Sequence, residues 1–207
     1  IAAITAGSDA TINSVTVGKG ANSVTGNTVL GESALDASNS GSGHNTAIGK
    51  NALTNNTTGN QNVAVGSGSL AANTTAIHNT AVGYIAMEDN TTGANNTALG
   101  KGALNSNTTT SNHTAVGLDA LGANTTGQNN TAVGANSLDA NTTGDNLTAI
   151  GKDALTANTT GGYNTACGMA SLQTISTAGN NTAVGYVALQ MSNAADNTAV
   201  GYKALQD

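Results

Sequence analysis

The chain has few of the residues that usually fill a globular core. Its 207 residues include no Pro, Trp or Phe, a single Cys and only 2% aromatic residues. The 12 Val, 14 Leu and 8 Ile make up about 16% of the chain, below the roughly 20% under which a chain usually cannot fill a globular core. Disordered chains usually also carry a high net charge, whereas this one carries only −6. Something other than a conventional core must therefore order it.

Charged residues are equally scarce, at 8% of the chain, and the only basic residues besides three His are five Lys. Five Lys cannot form the basic footprint that phosphate binding needs, so we do not expect a nucleic-acid partner. No apolar run approaches the length of about 18 residues that a membrane-spanning helix needs, so we do not expect insertion into a membrane. The single Cys167 excludes an internal disulfide framework.

A 17-residue repeat occupies most of the chain. Its unit reads Asn-Thr-Ala-Val-Gly-x-x-Ala-Leu-x-x-Asn-Thr-Thr-Gly-x-x, and Asn and Thr are correspondingly abundant. The Gly that follows Val recurs ten times between Gly49 and Gly201, in 17-residue steps with a shorter last step from Gly185. Such regular self-similarity is the signature of a repeat architecture.

The period of this repeat predicts an all-β fold. Seventeen residues are too few for the helix pairs of helical solenoids, and the frequent Gly and Asn-Thr-Thr-Gly segments would break helices. Seventeen residues instead suit one coil of a parallel β-solenoid, of the β-roll or β-helix type, with two or three short strands and tight turns. Residues 44–207 are predicted to form ten coils stacked at roughly 4.8 Å. Residues 1–43 are predicted to form β-roll coils of irregular period.

Two columns of larger apolar residues are predicted to fill the interior of the coils. The Val column consists of Ile48, Val65, Val82, Leu99, Val116, Val133, Ile150, Cys167, Val184 and Val200. The Leu column consists of Leu53, Leu70, Met87, Leu104, Leu121, Leu138, Leu155, Leu172, Leu189 and Leu205. Neighbours in a strand point to opposite faces, so the Ala column (Ala47, Ala64, Ala81 and their equivalents) would then face outward. Strands that are apolar on both faces are usually covered on both, which predicts packing against other copies of the chain.

A third column begins the Asn-Thr-Thr-Gly turns. This Asn column consists of Asn56, Asn73, Asn90, Asn107, Asn124, Asn141 and Asn158. Asn in a turn can bond the backbone, and stacked amides can bond one another between coils. Asn-Thr-Thr also matches the acceptor pattern for N-glycosylation at all seven positions. These Asn are therefore candidates for glycosylation or glycan contact, with turn chemistry alone as the alternative.

Several other residues are candidates for a binding or catalytic role. Tyr84, Tyr186 and Tyr202 share the position after the Gly, where aromatic rings on a ridge could stack on sugars. His44, His78 and His113 are predicted to be surface or turn residues, because two coils of separation, roughly 10 Å, is too far for one metal ion. Cys167 is predicted to be a small buried hydrophobe. No catalytic arrangement, metal site or cofactor site is indicated.

The repeat unit resembles the repeat arrays of phage and large-virus tail fibre proteins, over roughly residues 44–207. In the N-terminal part, a 13-residue step separates Gly18, in the segment Asn13–Gly18, from Gly31, in the segment Asn27–Gly31. That shorter step resembles the head of trimeric autotransporter adhesins, a left-handed parallel β-roll of three chains. The resemblance implies a homotrimeric fibrous attachment protein on a virion or cell surface, which would project a receptor-binding element and carry no catalytic residues.

Two alternatives to a fibre shaft remain. The chain could itself be a glycan-binding adhesin module, which would use the Tyr ridge and the Asn-Thr-Thr turns to hold host-surface glycans. It could also be the protomer of an extracellular filament in which the open ends of the solenoid join. An enzyme is not expected, because the candidate Ser positions are filled by Ala or Thr in other coils.

Overall fold

The computed structural model describes residues 9–37, 43–191 and 193–206, and these form one 13-stranded sheet in which the strands follow in chain order. A short 3-10 turn at Ala21–Ser23 lies between the second and third strands. The strands are β1 Ala10–Ile12, β2 Val15–Gly18, β3 Thr28–Gly31, β4 Thr46–Ile48, β5 Val63–Val65, β6 Thr80–Val82, β7 Thr97–Leu99, β8 Thr114–Val116, β9 Thr131–Val133, β10 Thr148–Ile150, β11 Thr165–Cys167, β12 Thr182–Val184 and β13 Thr198–Val200.

The parallel β-solenoid predicted from the repeat is confirmed. Strands β3 to β13 pair in parallel with their chain neighbours, and each pairing joins equivalent repeat positions, as Ala47 with Ala64. Each coil contains one strand, of four residues in β3 and of three in β4 to β13, rather than the two or three strands expected. Turns make up the rest of the coil, and the Gly, Asn and Thr of the repeat supply the residues that turns favour.

The N-terminal strands differ from the expected β-roll coils. Strand β2 pairs antiparallel with both β1 and β3, so the Gly18 and Gly31 blocks form an antiparallel pair rather than stacked coils. The 13-residue step therefore separates two antiparallel strands and is not the length of one coil. Parallel stacking begins at β3, which pairs with β4. Residues 1–8 and 38–42 of this predicted region lie outside the described residues.

The interior of the coils is lined by the Leu column and the Ala column. Ala47, Leu53 and their equivalents are almost completely buried as far as Leu189 and Ala199, whereas Leu205 in the last coil is 58% exposed. The prediction that the Val column lies inside is wrong, because this column points outward and leaves Leu99 46% and Ile150 43% exposed. A coil with a single strand has a narrow interior, and once Leu fills it the facing strand has room only for the methyl group of Ala.

Backbone hydrogen bonds run between coils around most of the circumference. In the strand, Thr46 N–H donates to Asn62 O over 2.9 Å, and in the turn, Leu53 N–H donates to Ser69 O over 3.1 Å. Leu53 reaches this geometry with a φ of 52°, a left-handed conformation repeated throughout the Leu column. This conformation costs roughly 1–2 kcal/mol per residue, which burial of a Leu side chain offsets. The close stacking of the coils also explains the Gly that follows each strand. A Cβ on Gly83 would lie 2.3 Å from the carbonyl oxygen of Gly100 in the next coil.

Candidate interaction surface

The seven residues of the Asn column lie inside the solenoid and are 0% exposed. Asn73 Nδ2 donates to Asn56 Oδ1 in the preceding coil over 2.7 Å, while Asn56 Nδ2 donates to Gly59 O over 2.9 Å. These bonds form the amide ladder that the turn chemistry suggested. The interpretation of the seven Asn as glycan contacts is therefore corrected, because a folded coil does not present their amides at the surface.

A second amide ladder precedes the strands and was not predicted from the sequence. It is formed by the Asn that opens each repeat. Asn45 Oδ1 accepts the backbone N–H of Asn62 in the next coil over 3.0 Å, and Asn45 Nδ2 donates to Gly59 O over 3.0 Å. Gly59 O thus joins the two ladders within one coil. The interior is lined by amides as well as by Leu and Ala, so the fold needs fewer apolar residues than a conventional core.

His113 occupies one position of the second ladder and is buried, which contradicts its prediction as a surface or turn residue. Its Nδ1 accepts the N–H of Asn130 over 3.3 Å, so the ring carries its proton on Nε2, which lies 3.0 Å from Thr110 Oγ1. The Thr110 hydroxyl in turn bonds Asn107 Oδ1. Burial lowers the pKa of His113 to about 4 and outweighs the backbone hydrogen bonds and the aspartate charge that raise it. His44 and His78 are exposed, as predicted.

Two apolar substitutions interrupt the ladders and reveal that these positions are internal. Leu147 replaces Asn in the second ladder and is 1% exposed, so it offers no acceptor to the N–H of Asn164. Ile175 follows Asn158 in the Asn column, and Asn158 Oδ1 is buried without a hydrogen-bond partner. Leu and Ile at positions that most other coils fill with Asn were the sequence signal that these columns face inward.

The three Tyr of the predicted ridge are exposed but do not form one site. Tyr186 and Tyr202 stack with ring centroids 5.3 Å apart, and Lys203 Nζ lies 5.7 Å from the Tyr202 centroid. Each ring of this pair thus has one face covered by the other. Tyr84 is six coils away from Tyr186, about 29 Å at the spacing of strands. Tyr163, which is 66% exposed, lies in a different column.

The outer face of the sheet is formed by the Val column together with the Thr that opens each strand. We call this the Thr/Val face; its Thr members are Thr28, Thr46, Thr80, Thr97, Thr114, Thr131, Thr148, Thr165, Thr182 and Thr198, with Val63 in the remaining coil. Cys167 belongs to this face and is only partly buried, which corrects its prediction as an interior residue. The position after the Gly borders the face and adds exposed residues such as Leu118 and Met169.

A groove of about 310 Å³ opens at Gly122, where the side chain that other coils place at this position is missing. Asp119 and Asp139 line it. Burial raises the pKa of Asp139, and its Oδ1 has no hydrogen-bond partner. Across residues 9–37, 43–191 and 193–206, no group of three His, Cys, Asp or Glu side chains is arranged to hold a metal ion. In the same residues, no helix has the length and apolar character needed to span a membrane.

Comparisons with protein-family models, curated proteins and solved structures find no match for this chain. What the coils present repeatedly is a rigid stack and one long uncharged face, and both are suited to assembly.

Proposed function

We propose that this chain is a structural segment of a fibre, the shaft of a virion tail fibre or of a surface adhesin, assembled as a homotrimer. The observation that carries the proposal is the stack of ten successive repeat coils, joined by hydrogen bonds along the axis. At roughly 4.8 Å per coil, this stack is a rod about 50 Å long. The resemblance of the repeat to tail fibre arrays supports the same role.

The proposed role is mechanical and needs no cofactor. In each coil, strand and turn amides bond the adjacent coils, and the two Asn ladders add side-chain bonds in the interior. Separating one coil from the next would break several of these bonds together, so the rod resists bending and local opening. A protease needs local opening to reach the backbone. Such a rod, on a virion or cell surface, would hold a receptor-binding element away from the particle during host attachment.

The shaft proposal is tested by shape, mass and resistance to proteolysis. Light scattering should give three times the chain mass of 20.0 kDa, and small-angle X-ray scattering should show an elongated particle. Proteinase K should leave the coils intact under conditions that digest a urea-treated sample. A compact monomer that is degraded rapidly without urea would contradict the proposal.

A glycan-binding module is the second candidate, and the exposure of Tyr84 (55%) and Tyr202 (73%) favours it. Aromatic rings with a free face can stack on sugars, and Tyr84 has no aromatic neighbour within several coils. A glycan array separates the two functions, because a shaft binds no glycan. Binding that is lost in Tyr84→Ala and retained in Tyr163→Ala, whose side chain is also exposed, would favour the binding module.

A further inference from the structure

The Thr/Val face is a long uncharged surface, one column of Thr beside one of apolar residues, and nothing among the described residues packs against it. The alternation of the strand turns each Ala inward and both of its neighbours outward, so Thr and Val side chains share this side of the sheet. The Val column continues past the repeat, because Val17 pairs with Leu30 and both are exposed. Most of the exposed large apolar side chains of the described residues lie on this face or at its border.

The face has the composition of the centre of a protein–protein interface. None of its Thr or Val positions carries a charged residue in any coil. Its eleven parallel strands, three or four residues long, cover about 48 by 10 Å, or about 500 Å². The bordering position after the Gly carries Glu32, Lys50, Lys101 and Lys152 besides its apolar residues. A stable interface takes about 800 Å² from each partner, so the face would supply the centre of such an interface and the charged border its polar rim.

We propose that the Thr/Val face packs against the same face of other copies of this chain, parallel and in register about an axis along the rod. A second copy is the partner because its side chains repeat with the same spacing as this face, so Val and Thr rows can interlock along the full length. Rotation about such an axis places each coil beside the same coil of its neighbours. The inference deepens the proposed shaft function, on which it rests, since a shaft has one anchored and one distal end.

The position of Cys167 distinguishes a parallel, in-register assembly of the chains from an antiparallel one. In a parallel, in-register assembly, Cys167 of each chain faces Cys167 of its neighbour. In a fully overlapping antiparallel assembly of β3 to β13, Cys167 would instead face Val65, and Val82 would face Ile150. Facing sheets lie about 10 Å apart, beyond the roughly 7 Å that a disulfide can span without movement of the backbone. A short-armed bismaleimide is therefore the suitable cross-linker.

The first experiment treats the assembled protein with this reagent at a concentration where it is oligomeric. We expect a covalent dimer from the wild type through Cys167, and equally from the double variant Cys167→Val with Val82→Cys. The matched control, Cys167→Val with Thr92→Cys, carries an exposed cysteine on the Asn-Thr-Thr turn and should give no dimer. Failure of both face cysteines to cross-link in an oligomer would overturn the proposed register and direction.

The second experiment places a charge on the face and measures mass by light scattering. Val133→Lys should reduce the oligomer to a monomer while the circular dichroism spectrum stays that of the wild type. Thr126→Lys adds the same charge on an exposed turn and should keep the oligomer. An oligomer of unchanged mass in Val133→Lys, together with absent cross-links, would overturn the inference and leave the shaft function standing. A wild type that is itself monomeric would overturn the trimeric shaft as well.

Discussion

Acid should destabilise this solenoid through one buried residue, His113. The ring is 1% exposed and accepts the N–H of Asn130 at Nδ1. Protonation of Nδ1 would remove that acceptor and place a charge among amides, and burial accordingly lowers the pKa of His113 to about 4 from its ordinary 6.5. The unfolded chain then binds a proton at a higher pH than the folded chain does, so the free energy of unfolding falls as the pH falls from 7 towards 4.

The size of this effect follows from the two pKa values. One pKa unit corresponds to about 1.36 kcal/mol, so the His113 contribution lowers the free energy of unfolding by about 2 kcal/mol at pH 5 and about 3 kcal/mol at pH 4, relative to pH 7. In His113→Asn, the ladder amide returns and this contribution disappears. Other groups titrate alike in both proteins, so the difference between wild type and variant isolates His113.

Urea denaturation followed by circular dichroism at pH 7, 5 and 4 measures the effect, with protein concentration held fixed because association also contributes to stability. His78→Asn is the matched control, since His78 is exposed and should change the pH dependence little. If wild type and His113→Asn lose the same stability between pH 7 and pH 4, the buried neutral imidazole is not the cause and the reasoning fails.

Three further substitutions test the interior, each measured by urea denaturation at pH 7. Asn79→Ala removes two buried ladder bonds, to a backbone N–H and a backbone carbonyl, and should destabilise the fold by about 2–4 kcal/mol. Ala132→Leu inserts three carbons into the filled interior and should cost about 1–3 kcal/mol or more. Gly83→Ala should prevent normal stacking of its coil, since the added Cβ meets a backbone carbonyl and φ is +142°.

Each of these substitutions has a control on the same fold. Thr92→Ala changes an exposed turn residue and should stay within about 0.5 kcal/mol of the wild type. Val133→Leu enlarges the outward neighbour of Ala132 and should keep the fold. Gly122→Ala places a Cβ no closer than 3.2 Å to its neighbours and should be tolerated. Equal losses in a substitution and its control would contradict the assignment of inner and outer positions.

The stack of coils could be predicted from the repeat alone. The 17-residue period, a Gly after each strand and a Leu in nearly every coil suit a parallel solenoid and no helical array. These features are local and repeat ten times, so one irregular coil does not change the prediction. The antiparallel start of the chain could not be predicted in this way, because β1 and β2 lie outside the repeat and no recurring column of residues fixes how they pair.

Which side of each strand faces inward could not be predicted from the repeat and depends on how the coil closes. Ala47 and Ile48 are both apolar, so alternation alone allows either to be buried, and the larger residue was the natural choice for a core. The choice depends on the space left inside a coil with one strand, where Leu53 and two Asn columns leave room for a methyl group alone. The same narrow interior buries His113 and the ladder Asn and leaves the Val column on the surface, because so short a coil cannot enclose both columns of large side chains.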